Sequence, residues 1–251
     1  MQQAFPWSLT RSTRTLLTLG CATLLAVSLA ACGSKKPIEV VQNGILSIDK
    51  SVTIGGALGH YQGCAEKTAK WTEGKSEKGA TIVTFSCQLK DAPQIFQQRY
   101  KESLFAMTTE GLTALFQGVP FKFPKSENGD KSTEDAEALL EALLDKAHAP
   151  DEVRQTIHAA IDPYKVLAAT VSIDFAMDKT DTARFDLKEV RLDVQWKDRR
   201  ATLPLYIDGT LAAMYHDETV FQNAALGNDF ESRLSDAWEA AEAQKPKETK
   251  L

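Results

Sequence analysis

The sequence predicts an α+β protein in which a small αββ part, a helical insertion and a C-terminal antiparallel meander with flanking helices follow one another. Apolar and polar residues alternate over residues 80–89, 167–177 and 185–207, which indicates β-strands. Between these runs, apolar residues recur every three or four positions over residues 93–117 and 136–161, which indicates amphipathic helices. The 251 residues are 43% hydrophobic and 25% charged, which is typical of a globular chain and excludes a disordered or multi-span membrane protein.

Residues 1–31 have the pattern of an export signal. Arg11 and Arg14 are the only charged residues of this segment, and an uncharged, mostly apolar run extends from Thr15 to Ala31. The run is shorter and less apolar than the stretch of about 20 residues that a membrane-spanning helix needs. We therefore expect the segment to direct export and to be removed.

The end of this run, Leu29-Ala30-Ala31-Cys32-Gly33-Ser34, resembles the lipobox of bacterial lipoprotein precursors. The resemblance implies cleavage after Ala31 and acylation of Cys32 on both its thiol and its new α-amine. Several acyl chains on one residue would anchor the protein firmly, whereas a single chain binds a membrane only marginally. Because Gly33 and Ser34 follow the cysteine in place of an acidic residue, the resemblance implies the periplasmic face of the outer membrane. The alternative is an ordinary cleaved signal without a lipid.

Residues 32–37 would then form a short lipidated tether, and residues 38–91 the αββ part. The pattern predicts a helix at Thr53–Tyr61 and a hairpin whose second strand points Cys87 inward, toward the end of that helix, where Cys64 lies. In an oxidising exported compartment, an even pair of cysteines predicts a disulfide. Two buried thiols remain an alternative, while the absence of Cys-x-x-Cys spacing and of a nearby histidine cluster disfavours a metal or redox site.

Residues 92–165 form the predicted helical insertion, with a break expected at Gly111. The main candidates for a binding surface are its aromatic residues Phe96, Tyr100, Phe105 and Phe116, followed by Phe121 and Phe123. Concave apolar sites for a lipid, a peptide or a protein partner need such a lining. The alternative is that these side chains are core beneath the helices, which the helical spacing of Phe96 and Tyr100 favours.

Residues 166–243 form the predicted antiparallel sheet and its flanking helices, and residues 244–251 a charged, frayed tail. The alternation shifts by one residue near Lys188, which predicts a β-bulge. Pro204 lacks a donor N–H, so its strand is expected at a sheet edge. The helix predicted from Phe230 carries an apolar stripe that either docks on the core or binds a partner.

Catalytic and metal motifs are absent from the sequence, so we expect neither an enzyme nor a bound metal or cofactor. The histidines lack ligand spacing; they are His60, His148, His158 and His216. Three aspartates of the meander could include a carboxylate pair, although a solvated sheet face explains them more simply; they are Asp174, Asp186 and Asp193.

The charge pattern narrows the partners that we expect. The formal charge is −5, and it becomes −7 without Arg11 and Arg14, which disfavours nucleic acid as a partner. We expect a membrane-anchored envelope protein that presents a non-enzymatic binding or assembly surface to an envelope protein. The alternatives are a carrier of a small apolar ligand and, less favoured, an envelope hydrolase.

Overall fold

A five-stranded antiparallel sheet with the strand order β1-β2-β3-β4-β5 organises the protein and confirms the predicted α+β class. The computed structural model describes residues 36–115 and 133–243, which belong to one compact unit. The strands are β1 Lys70–Lys75, β2 Thr81–Gln88, β3 Ala168–Met177, β4 Phe185–Gln195 and β5 Arg200–Pro204. The predicted signal with its lipobox, Phe116 and the tail 244–251 lie outside the described residues.

Helices precede, interrupt and follow the strands along the chain. They are α1 Pro37–Gln42, α2 Ile54–Gly59, α3 Ala92–Leu115, α4 Thr133–Lys146, α5 Asp151–Ile161, α6 Ile207–Tyr215, α7 Asn223–Leu226 and α8 Phe230–Ala243. A 3₁₀ helix, Asp162–Tyr164, follows α5 directly. None of the helices in residues 36–115 and 133–243 combines the length and the apolar character needed to cross a bilayer.

Several helix boundaries differ from the predicted ones. Pro37, which was assigned to the tether, is the first residue of α1. Gly111 does not break α3, which continues to Leu115. A glycine inside a helix costs about 1 kcal/mol relative to alanine, which a helix of 24 residues can tolerate.

Pairing between β2 and β3 joins the αββ part and the meander into one sheet. Phe85 lies opposite Ile173, and Cys87 lies opposite Val171. These four side chains are buried and belong to the same face of the sheet, where the helices cover them. Because α3, α4 and α5 lie between β2 and β3 in the chain, the helical segment is an insertion between neighbouring strands.

The predicted irregularities of the sheet are present. Asp174 lies opposite Glu189 and Phe175 lies opposite Leu187, so Lys188 is the extra residue of a bulge in β4. The edge position of β5, expected from its proline, is also confirmed.

The last strand ends earlier than the alternating pattern predicts. The backbone N–H of Leu205 still donates to the carbonyl of Val190, but that of Tyr206 donates to the carbonyl of Ala225 instead. This change of partner ends the pairing with β4. Ile207, which the pattern assigned to the strand, is therefore the first residue of α6.

A disulfide between Cys64 and Cys87 confirms the predicted pair. Their Cα atoms are 5.6 Å apart, and Cys64 also forms an isolated antiparallel bridge with Leu89. The bond therefore fastens the segment after α2 to the end of β2. Closing a loop of this size stabilises a fold by roughly 3 kcal/mol in the chain-entropy model.

The loop that carries Cys64 also contacts the segment after α6. The Tyr61 hydroxyl donates to the carbonyl of Glu218 at 2.9 Å, and the Gln62 N–H donates to an Asp217 carboxylate oxygen at 2.7 Å. Burial raises the pKa of Tyr61 to about 12, so its phenol stays a hydrogen-bond donor at neutral pH. These contacts connect the segment after α2 with the segment after α6.

The absence of a side chain at Gly209 allows α6 and α7 to pack closely. A Cβ atom at this position would overlap the carbonyl oxygen of Ala224, whereas one at Gly59 would meet no atom within 4 Å. Gly209→Ala should therefore lower the free energy of unfolding by roughly 1–3 kcal/mol, as overpacking does. The control Gly59→Ala should leave it unchanged or raise it by up to about 1 kcal/mol. Urea unfolding followed by circular dichroism measures both, and equal midpoints for the two variants would contradict the packing of α6 on α7.

Candidate functional site

The three aspartates of the meander lie on the polar face of the sheet but do not form a catalytic pair there. Asp174 accepts a hydrogen bond from Thr84 at 2.6 Å and pairs with Arg191. Asp193 accepts from Thr202 at 2.6 Å and from Ser172 at 3.3 Å. Along the paired strands β3 and β4, Arg191 lies between Asp174 and Asp193. The two carboxylates therefore bind different cross-strand hydroxyl groups. Asp186 lies further along the face, opposite Ala176.

A cleft, which we name the Trp238 cleft, lies beside the β4–β5 turn, near the β5 edge of the sheet. Its volume is about 830 Å³. Four elements form its walls, namely α5, the 3₁₀ helix, the β4–β5 turn and α8. The lining residues that matter for its chemistry are His158, Asp162, Lys165, Trp196, Arg199 and Trp238.

Trp238 and its neighbours form the aromatic wall of this cleft. The guanidinium carbon of Arg199 lies 3.7 Å from the centroid of a Trp238 ring, in a cation–π contact. Trp196 meets Trp238 edge-to-face at 5.4 Å, and its indole N–H donates to the Pro163 carbonyl at 2.8 Å. Arg199 also pairs with Asp198 at 3.1 Å. The turn and α8 are therefore held together by contacts that leave Trp238 half-buried.

A row of ion pairs forms the opposite wall and continues onto α4. The Lys165 ammonium lies 3.0 Å from Asp162 and 3.3 Å from Glu137, and the His158 imidazole lies 2.8 Å from Glu141. Burial alone would lower the pKa of Lys165, but hydrogen bonds and attraction from the two carboxylates outweigh it and raise that pKa. The two carboxylates therefore favour the charged form of Lys165.

A second, smaller pocket of about 340 Å³ adjoins the cleft and shares Lys165 with it. Tyr100 lines this pocket, and its hydroxyl donates to Glu137 at 2.6 Å. Burial, and then that hydrogen bond, raise the pKa of Tyr100, so its phenol stays neutral. Leu167 supplies an exposed apolar rim.

Two of the predicted aromatic candidates, Phe96 and Tyr100, are part of the core. Phe96 is 0% exposed, and its ring contacts Phe221 at 5.4 Å and Phe230 at 6.3 Å. Tyr100 is 3% exposed, although its edge lines the smaller pocket. The backbone of Phe105 lies in α3, while its side chain, like Phe116, lies outside the described part of the chain. Burial removes Phe96 from any exposed binding surface.

Sequence reasoning did not single out the Trp238 cleft. Its lining comes from segments that are distant in the chain. Only the β4–β5 turn contributes four consecutive residues, Trp196–Arg199. The C-terminal stripe of Phe230 and Trp238 was recognised, and it docks on the core as the first of its two interpretations expected. A local signal was available in Lys197 and Arg199, which follow Trp196 in the sequence, but such a pattern is common in turns.

The histidines do not assemble into a metal site. His60 and His216 follow the ends of α2 and α6, and His148 has a left-handed backbone with φ of 49°. Over residues 36–115 and 133–243, no three side chains among histidine, cysteine, aspartate and glutamate are arranged to hold a metal ion.

In comparisons with known proteins, no protein-family model, no curated protein and no solved structure matches the chain. The chemistry of its surfaces therefore has to be inferred from its own residues.

The burial of Phe96 leads to a stability prediction. Phe96→Ala should lower the free energy of unfolding by about 3–5 kcal/mol, because truncating a buried aromatic ring leaves a cavity. The control Tyr206→Ala, at a side chain that is 54% exposed, should change it by less than about 1 kcal/mol. Urea unfolding monitored by far-UV circular dichroism measures both, and a wild-type midpoint for Phe96→Ala would mean that the ring lines a groove.

Proposed function

We propose that the chain is a lipid-anchored protein of the bacterial cell envelope that presents a non-enzymatic binding or assembly surface. The observation that carries the proposal is the segment Leu29-Ala30-Ala31-Cys32, placed directly after an uncharged apolar run that follows two arginines. The disulfide between Cys64 and Cys87 agrees with an oxidising exported compartment.

The Trp238 cleft is the surface that we propose for a protein partner. Tryptophan is enriched at the hot spots of protein–protein interfaces, and the half-buried Trp238 lines the cleft, where it is backed by Arg199, whose side chain is only 6% exposed. Lys165 is already paired with Asp162 and Glu137, so a free anion would have to displace those carboxylates from it. A partner with a mixed apolar and polar surface suits this lining better than a purely apolar ligand.

The position of the cleft supports the same proposal. α1 packs against β1 and β2, whereas α8 packs against β5 at the other edge of the sheet. Four interstrand spacings separate β1 from β5, which amounts to about 19 Å. If the lipid is attached just before α1, the Trp238 cleft lies at the edge away from the attachment and is open to other envelope proteins.

The two alternatives have weaker support. A carrier of a small apolar ligand would be served by the pocket beside Tyr100, yet Lys165 and Glu137 place charges in its wall. A hydrolase would need an activated nucleophile or base, while the pKa values of Lys165 and Tyr100 are both raised, which leaves both groups protonated.

Cys32→Ser tests the anchor. Replacing the thiol removes the acceptor of the diacylglycerol, so the variant should incorporate no labelled palmitate and should leave the membrane fraction or remain unprocessed. Cys21→Ser is the matched control, because Cys21 lies inside the signal, and it should label as the wild type does. Metabolic labelling and fractionation measure both, and unchanged palmitate incorporation in Cys32→Ser would refute lipid attachment at this residue.

The proposed cleft can be tested with a photoreactive phenylalanine analogue placed on α5. Gln155 lines the cleft, while its exposed neighbour Thr156 does not. Crosslinking in cells should give one discrete adduct from position 155, identified by mass spectrometry as an envelope protein, and none from position 156. The two positions point about 100° apart around the helix, so they separate the cleft from its surroundings. Identical adducts at both positions, or none at 155, would reject the cleft as the partner's site.

A further inference from the structure

The folded chain begins very close to the proposed acylation site. Only residues 33–36 separate Cys32 from Pro37, the first residue of α1. Five residue steps of extended chain span at most about 18 Å. The start of α1 must therefore lie near the lipid headgroups if Cys32 is acylated, and this inference rests on that proposed function.

The segment after α1 stays close to this starting point. α1 has six residues and is about 9 Å long. The chain then turns, since the N–H of Gly44 donates to the carbonyl of Val41 at 3.0 Å, and the carbonyl of Gly44 accepts from Ile54 at 2.9 Å. Ile45 thus follows directly on a turn that is tied to both α1 and α2.

Ile45 is exposed although its neighbours are not. Its side chain is 56% exposed, whereas Leu46 and Ile48 pack against the core. An isoleucine held outward by a fixed turn is costly in water and favourable in the interfacial region of a bilayer.

Two lysines precede and follow this isoleucine in the sequence, nine positions before it and five after it. Lys36 and Lys50 are both exposed, and neither forms an ion pair within the part of the chain that the structure describes. The nearby acids are Glu39 in α1 and Asp49, whose carboxylate accepts from the N–H and the hydroxyl of Ser51. Lysine side chains place their ammonium groups at the phosphate level of a bilayer while their stems lie lower.

We propose that the α1–α2 segment rests on the phospholipid surface, with Ile45 in the headgroup region and Lys36 and Lys50 beside lipid phosphates. One isoleucine and two lysines bind too weakly to hold a protein on a membrane alone. With Cys32 acylated, however, the local lipid concentration is very high, so a weak contact is enough to orient the domain. The partner of this surface is the bilayer that carries the anchor.

The experiment places a photoreactive phenylalanine analogue at position 45 of the full acylated protein in vesicles of phosphatidylethanolamine and phosphatidylglycerol. Matched controls at positions 167 and 206 replace Leu167 and Tyr206, which are 56% and 54% exposed. Because all three sites are equally accessible, differences in lipid adducts report orientation and not exposure. We expect several-fold more lipid adduct from position 45 than from either control.

The outcomes separate this inference from the proposed anchor. Mass spectrometry of the N-terminal peptide shows whether Cys32 is acylated in the same samples. Equal lipid adducts at the three positions, with Cys32 acylated, would overturn the orientation and leave the anchor intact. An unacylated Cys32 would overturn both. A linked Cys64–Cys87 peptide in each sample verifies that the substituted protein is folded.

Discussion

The pairing of β2 with β3 is the constraint on which the rest of the structure depends. Seven opposed pairs run from Ile82 with Ala176 to Gln88 with Thr170. A slip of one residue would turn the whole buried row, including Phe85 and Ile173, toward the polar face. The register also decides which helices cover the sheet, because α3, α4 and α5 must leave from the end of β2 and return to the start of β3. The disulfide at Cys87 fastens the N-terminal segment to the same strand.

The sequence was sufficient for the strands, for their buried faces and for several local irregularities, because these depend on a period of two residues. The inward direction of Cys87 and the bulge at Lys188 followed from that pattern, and the edge position of β5 followed from the missing N–H of Pro204. The same period carries no information on which strands pair with one another. The pairing of β2 with β3, which joins the αββ part and the meander into one sheet, was therefore not predicted. α1 and α7, with six and four residues, are too short to show helical periodicity. Ile207 fits the alternating strand pattern, but the strand ends before it because the N–H of Tyr206 donates to Ala225 and not to β4.

The candidate site was harder to predict than the fold because its residues have ordinary local roles. Trp196 ends an alternating strand, and Trp238 belongs to the apolar stripe of α8, so each looks like core in its own segment. Only the tertiary packing of the β4–β5 turn on α8 brings Arg199 onto the Trp238 ring. The aromatic excess of α3 was visible in the sequence, but Phe96 meets Phe221 and Phe230 from the C-terminal region and is thereby buried.

The five-stranded sheet connects the region of the proposed anchor with the Trp238 cleft, so the sheet fixes their relative positions. α1 packs against β1 and β2, whereas α8 packs against β5, where Arg233 also bonds the carbonyl of Pro204. Continuous hydrogen-bonded strands connect these edges, and the Cys64–Cys87 bond fastens the segment after α2 to β2. If acylation of Cys32 keeps α1 near the bilayer, the Trp238 cleft beside α8 would lie toward the other edge of the sheet without needing a hinge. If Cys32 is acylated, such a rigid connection would give the domain a defined binding direction, because a tether of four residues restricts distance but not rotation.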